Sequence, residues 1–177
     1  MTEKELIERA QHDRRAFGVI YEAHFEGLFR FVLKRVSDRQ LTSDLVSQTF
    51  VKAMLSLNTY TYTGVPIKAW LYRIAINEVN MYFRENKRVH HVQLSESLIS
   101  GLSQELEESG IRQMQFERVV ASLNTLEEQE VLLIELRFFE GMRFREMAEV
   151  LGSSEDAVKM KTHRVLKRLK SVILTQG

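Results

Sequence analysis

The chain contains no cysteine, which excludes disulfides and thiolate metal sites. A single proline and only eight glycines among 177 residues leave long stretches free to run as uninterrupted helix. No apolar run approaches the length that spans a bilayer, and the charged, helix-forming start MTEKELIERA is unlike a signal peptide. A soluble, cytoplasmic protein with no membrane insertion is the expectation. An excess of one charge is lacking too: the formal net charge is +1, so total charge does not announce a polyanionic partner. There is no Gly-rich phosphate loop, no Cys nucleophile and no H-E-x-x-H, so neither an enzyme nor a cofactor is expected.

What is present points to a packed, helical chain. The apolar fraction of 44% is enough for a core and too high for a disordered chain. The length suits one medium domain or two small ones. Charge is segregated: from Ser153 to Lys170 six Lys/Arg face only Glu155 and Asp156, whereas from Ser103 to Glu130 seven Glu face only Arg112 and Arg118. A basic C-terminal helix with an anionic partner follows from that pattern; the bland alternative is a solvated helix face.

Helical periodicity appears almost everywhere and strand-like alternation almost nowhere. Thr2 with Glu5 forms a capping box for a short first helix. Asp13 caps a longer one that buries Phe17, Ile20, Tyr21, His24, Leu28, Phe31, Val32 and Val36. Ser37-Asp38-Arg39 reads as a turn, and a third helix from about Leu41 to Leu57 buries Leu45, Thr49, Ala53 and Leu57. NTYTYTGV, residues 58–65, is a loop by composition, closed by Pro66 at the first helical position of the next helix, which ends near Lys87. From Val89 to about Ile111 the pattern dissolves into a linker. The second unit begins near Met114; Thr125 with Glu128 caps a helix that stops at Gly141. A short helix, about Arg143 to Leu151, then breaks at Gly152, and Ser154 caps a last helix reaching roughly Val172. Short helix, glycine turn and basic helix make a helix-turn-helix.

In that last helix Val158, Thr162, Val165 and Leu169 share one face, so Lys159, Met160, His163 and Arg164 lie opposite. Long donors near the N-terminal half of such a helix reach base edges in a major groove. Lys161, Lys167 and Arg168 flank them and suit phosphate contact, with Ser154 at the cap. His90-His91 is a metal pair only by composition; adjacent side chains diverge on a helix, and a solvated linker explains them, so no metal site is expected.

The run LNTLEEQEVLLIELRFFEGMRFREMAEVLGSSEDAVKMKTHRVLKRLK resembles the C-terminal domain of extracytoplasmic-function (ECF) sigma factors, which binds the −35 promoter element. LuxR-like regulators share a similar helix-turn-helix. The N-terminal half narrows the choice. Its D-L-V-x-x-x-F segment (Asp44, Leu45, Val46, Phe50) is similar to the family's docking helix for the polymerase clamp coiled coil. Its A-W-L-Y-R-I-A-x-N segment, Ala69 to Asn77, is similar to the helix that reads the −10 element.

The resemblance implies an all-α chain of two small helical domains joined by a flexible linker: residues 1–88 for polymerase docking and −10 recognition, 89–113 as linker, and 114–177 for the −35 element. It implies core RNA polymerase (clamp and flap) and promoter DNA as partners, and an anti-sigma factor as regulator. Asp44, Leu45, Ser47, Gln48 and Val51 would meet the clamp. At the −10 strand, Tyr60, Tyr62 and Thr63 precede a basic helix with Lys68, Arg73, Arg84, Lys87 and Arg88; aromatics stack on unpaired bases while cations hold the backbone. By resemblance Asn77 and the 58–65 loop would form a pocket for a flipped base, Asn77 carrying both donor and acceptor. Trp70 is assigned to structure. The chain departs from the family at Ser47-Gln48, where Gln-Glu is usual, and at Ser153, Ala157 and Met160 in the turn and recognition helix. Two rivals stand beside this reading: a stand-alone DNA-binding regulator, and a helical interaction protein without DNA affinity.

Overall fold

The computed structural model describes residues 1–86 and 121–175, with side chains to residue 171. The chain divides into two units, Met1–Gln93 and Leu94–Gly177. Among the described residues all regular structure is helical.

The first unit opens with α1 (Glu3–His12), started by the capping box of Thr2 and Glu5. Asp13 ends it and caps α2 (Arg14–Val36), its carboxylate accepting from the Arg15 N–H at 2.9 Å. A left-handed Ser37 (φ 54°) stops α2, and Asp38 caps α3 (Arg39–Ser56), accepting from the Leu41 N–H at 2.9 Å. A left-handed residue ends a helix because its N–H reaches back, here from Ser37 to the Leu33 carbonyl at 2.8 Å. A 3-10 turn, Leu57–Thr59, leads into the irregular loop, and α4 (Ile67–Asn86) follows.

These helices close on Leu28, Phe31 and Val32 of α2, Leu45 and Val46 of α3, and Leu71, Tyr72 and Ala75 of α4, all buried. Each large side chain removed from water contributes roughly 1.5–3 kcal/mol. Buried Thr49 satisfies its hydroxyl on the Leu45 carbonyl at 2.8 Å, which is how a polar residue sits in this core without cost. Two expectations shift. Tyr21, expected inside, is 40% exposed, lying over Phe50 with ring centres 4.6 Å apart. Pro66 sits one residue ahead of the helix rather than at its first position, and the Ile67 N–H, which has no acceptor within the helix, donates to Glu3 Oε1 at 3.2 Å.

The second unit holds α5 (Glu128–Ile134), which runs into a π-helical turn, Glu135–Phe139, and then α6 (Phe144–Leu151) and α7 (Glu155–Thr175). The cap of α5 lies two residues later than expected. The Glu127 N–H donates to Glu130 Oε2 at 2.9 Å, while Thr125 Oγ1 donates back to the Ser122 carbonyl at 2.6 Å and finishes the preceding segment. The turn residues are placed as expected: Gly141 and Gly152 both have φ 60°. Ser154 Oγ accepts from the Ala157 N–H at 3.2 Å and starts α7. Val158, Thr162, Val165 and Leu169 are all buried, as the spacing required, in a core with Ile134, Leu136 and Met147.

Candidate nucleic-acid interfaces

In the first unit α4 organises the surface. Its apolar stripe faces the core, and the 3.6-residue period therefore turns Arg73, Asn77, Asn80 and Arg84 outward together. At the head of that face Tyr60 lies against Trp70, ring centres 4.6 Å apart and planes tilted by 37°. Both rings are half-buried, so Trp70 is a surface aromatic as well as a packing residue. Tyr62 is half-buried and Thr63 exposed in the loop beside them.

Lys68 behaves differently. It sits on the other side of α4, with its ammonium 5.2 Å from the centre of the buried Tyr72 ring. There, burial first and the Lys68 charge second hold the His24 imidazole below its ordinary value. Lys68 is thus separated from the Asn77 face with which the sequence grouped it. Lys87 and Arg88 lie outside the described residues.

Asn77 borders an open cleft of about 750 Å³ between the C-terminal half of α3 and α4, lined also by Lys52, Leu55, Ser56, Glu78 and Arg84. Glu78 is buried, with one carboxylate oxygen ion-paired to Lys52 and Oε2 without a hydrogen-bond partner. A buried carboxylate needs such a partner; Lys52, half of whose side chain is exposed, therefore spans from Glu78 to solvent at the cleft. The sequence reading missed Lys52, Leu55 and Ser56, because Lys52 and Glu78 are 26 residues apart. The readable signal was Leu55, an apolar residue on the polar side of its helix that proves 70% exposed.

On the outer face of α3, Asp44, Ser47 and Gln48 are exposed, and Val51 is 51% exposed. Leu45 is 4% exposed and belongs to the core with Thr49 and Ala53, as its spacing required, so it does not share the exposed face on which the resemblance grouped it with Asp44.

In the second unit the exposed side of α7 carries Lys159, Met160, Lys161, His163, Arg164 and Lys167. Met160 is 62% exposed, at the centre of this basic ridge. His163 meets Phe144 edge-on, ring centres 5.8 Å apart, which sets the ridge against α6. Arg168 is engaged within the protein: it pairs with Glu130 of α5 and holds that carboxyl below its ordinary range through the hydrogen bond. Among the described residues no cluster of His, Cys, Asp or Glu has the makings of a metal site, and no helix is long and apolar enough to cross a membrane.

Residues 20–89 match the family model for Sigma-70 region 2, and residues 116–169 match that for Sigma-70, region 4. The chain is 30% identical over 167 residues to the ECF RNA polymerase sigma factor BldN of Streptomyces coelicolor, covering 93% of this chain and 63% of that protein's length. It is 27% identical over 154 residues to the ECF sigma factor SigM of Bacillus subtilis, covering 86% of this chain and 92% of SigM. The chain belongs to the sigma-70 family, in its ECF group. Two solved structures share the fold of this sigma factor. CnrH in complex with the cytosolic domain of CnrY has a TM-score of 0.65 at 24% identity, covering 99% of both chains. The sigma factor RpoE in complex with the anti-sigma factor NepR from Bartonella quintana has a TM-score of 0.60 at 19% identity, covering 88% of this chain and 95% of that one. The region 2 match takes in most of α2 and all of α3 and α4, so the Asn77 face and the exposed side of α3 lie inside it, and α1 lies ahead of it.

Proposed function

We propose that this sigma factor binds core RNA polymerase and directs it to promoters by dividing the work among three surfaces. Residues 1–88 dock on the polymerase clamp through Asp44, Ser47, Gln48 and Val51 and take the melted −10 strand along α4. Residues 114–177 read the −35 duplex with α7 and meet the flap, and residues 89–113 join the two. The observation that carries this reading is the α4 face. A tilted Tyr60–Trp70 ring pair stands at the head of this face, Arg73 is exposed along it, and the amide of Asn77 and the guanidinium of Arg84 border a cleft. Rings offer stacking to unpaired bases, cations hold the backbone, and the amide reads an edge.

On α7 the long donors Lys159, His163 and Arg164 suit base edges, while Lys161 and Lys167 suit phosphates. Ser154 presents a helix N-terminus, which favours a phosphate oxygen. Arg168 serves mainly the Glu130 contact and reaches DNA only by leaving it. The protein has no catalytic step of its own, needs no cofactor or metal, and works in the cytoplasm beside polymerase. Its regulator is an anti-sigma protein, the kind of partner with which the Bartonella neighbour was captured.

Run-off transcription with core polymerase on a randomised promoter library tests the reading. Selected promoters should share two separated elements, and Asn77→Ala should relax only the downstream one. Sequence-specific duplex binding without polymerase would instead favour a stand-alone regulator.

A further inference from the structure

Both ends of the irregular stretch between the 3-10 turn and α4 are held by one short helix. Gln11, in the last turn of α1, donates from Nε2 to the Leu57 carbonyl at 3.0 Å and to the Tyr60 carbonyl at 2.9 Å. Glu3, in the first turn of α1, accepts from the Ile67 N–H at 3.2 Å. A side-chain amide has two N–H donors, and Gln11 places both on this stretch. Between the anchors Ile7 and Ala10 are buried, so α1 cannot slide along its axis without opening the core. The second carbonyl belongs to Tyr60, whose ring lies on Trp70 at the head of the Asn77 face.

We infer that α1 is the positioning element of the −10 loop, with Gln11 and Glu3 fixing where its two ends lie relative to α4. Gln11 touches no base; it acts through the Tyr60 backbone. Reading one unpaired base requires the loop to be held within a fraction of an ångström, and a loop released at one end is present but loosely placed. The inference rests on the proposed role of the 58–65 loop.

The test uses the full-length protein bound to core polymerase. The probe is the single-stranded −10 oligonucleotide of a promoter selected from the library, together with its single-base variants. Gln11→Met keeps the length of the side chain and removes both donors. It should weaken oligonucleotide binding about five- to tenfold and flatten base preference at one or two positions, with core affinity unchanged within about twofold. Glu3→Ala should do the same more weakly, whereas Glu3→Gln, which keeps an acceptor oxygen, should behave as the wild type. If Gln11→Met does not fold, the two Glu3 variants decide the matter alone. Unchanged base preference, or equal losses in core and oligonucleotide affinity, would overturn the inference. Tyr62→Ala/Thr63→Ala runs in parallel: if it weakens binding while the α1 variants do not, only the role of α1 fails. If it too has no effect, the loop reading itself falls.

Discussion

The two units offer nucleic acid different kinds of surface. The first presents a tilted ring pair and, farther along the same helix, a cleft bordered by amides and a guanidinium, where the buried carboxylate of Glu78 is paired with Lys52. The second presents a convex basic ridge in which the cations outnumber every other group and no cleft is needed. Unpaired bases must be accepted singly and stacked, whereas a duplex is read from outside by projecting donors. The difference teaches that net charge is a poor guide to this chain. A total of +1 hides a surface that works mainly by shape and another that works by charge.

The largest expected effect separates docking from reading. Asp44→Arg reverses a charge on the outer face of α3 and should cut affinity for core polymerase by roughly ten- to a hundredfold, with helical content unchanged. Titration of core with labelled protein measures it, and wild-type affinity would take this helix out of the interface.

Next come the two readers, tested as a pair. Asn77→Ala and Arg164→Ala should each cost about 1–3 kcal/mol of promoter discrimination, the usual worth of one base contact. The first should relax one position of the −10 strand and leave the −35 duplex untouched; the second should do the reverse. Loss of discrimination at both elements from either variant would collapse the distinction. A lower melting temperature with unchanged base preference for Asn77→Ala would make that amide a structural residue.

The ion pairs sharpen the contrast further. Lys52→Met strands a buried Glu78 and should cost the first unit about 1–3 kcal/mol. Arg168→Met leaves an acid that already meets water and should cost the second unit under about 1 kcal/mol. Urea denaturation followed by fluorescence of Trp70, the chain's single tryptophan, measures the first unit, and hydrogen exchange of the α7 amides measures the second; equal losses for both variants would contradict the burial difference.

The smallest effect is a difference in acid response. His24 resists protonation in the folded first unit, so the unfolded chain binds the extra proton. That contribution is full above about pH 6.5 and is lost as pH falls toward the lower folded value. Glu130 is likewise depressed, so its contribution holds above the ordinary carboxylate value and disappears as pH falls through the folded one. Acidification should therefore weaken the first unit before the second. His24→Gln should flatten the pH dependence of the Trp70 transition between pH 7.5 and 5.5, and an unaltered slope would remove His24 as its source.

Much of the fold was legible because it is written locally. Thr2 with Glu5, Asp13 and Ser154 each cap the helix they precede, and a capping side chain acts within three residues of itself; Asp38, read only as part of a turn, caps α3 in the same way. The buried face of α7 followed from period alone. What was illegible depends on distant residues or on competition. Thr125 bonds backward to Ser122, so Glu127 takes the cap that Thr125 was expected to fill. Of the candidate site, the ridge of α7 was readable from spacing, whereas on α4 Asn77 came from the resemblance and Lys68 was grouped with a face it does not share. The Lys52–Glu78 pair and the hold of Gln11 on residues 57 and 60 were not readable, since nothing local joins residues 26 and 46 positions apart.

The π-helical turn at Glu135–Phe139 closes with the Glu140 N–H on the Glu135 carbonyl at 3.0 Å, a five-residue step where the rest of the helix takes four. In the bookkeeping of inheritance this is one residue more than an ordinary helix holds. A turn of this kind lets a helix hold one residue more while the segment after it keeps nearly its facing, so the change is confined to the turn. There Arg137 reaches the Met142 carbonyl at 3.0 Å and lies over the Phe144 ring at 4.5 Å, which ties the turn to α6. The extra residue thus acts as a local splice, and deleting it should cost that tie while leaving the buried faces of α5 and α7 in phase.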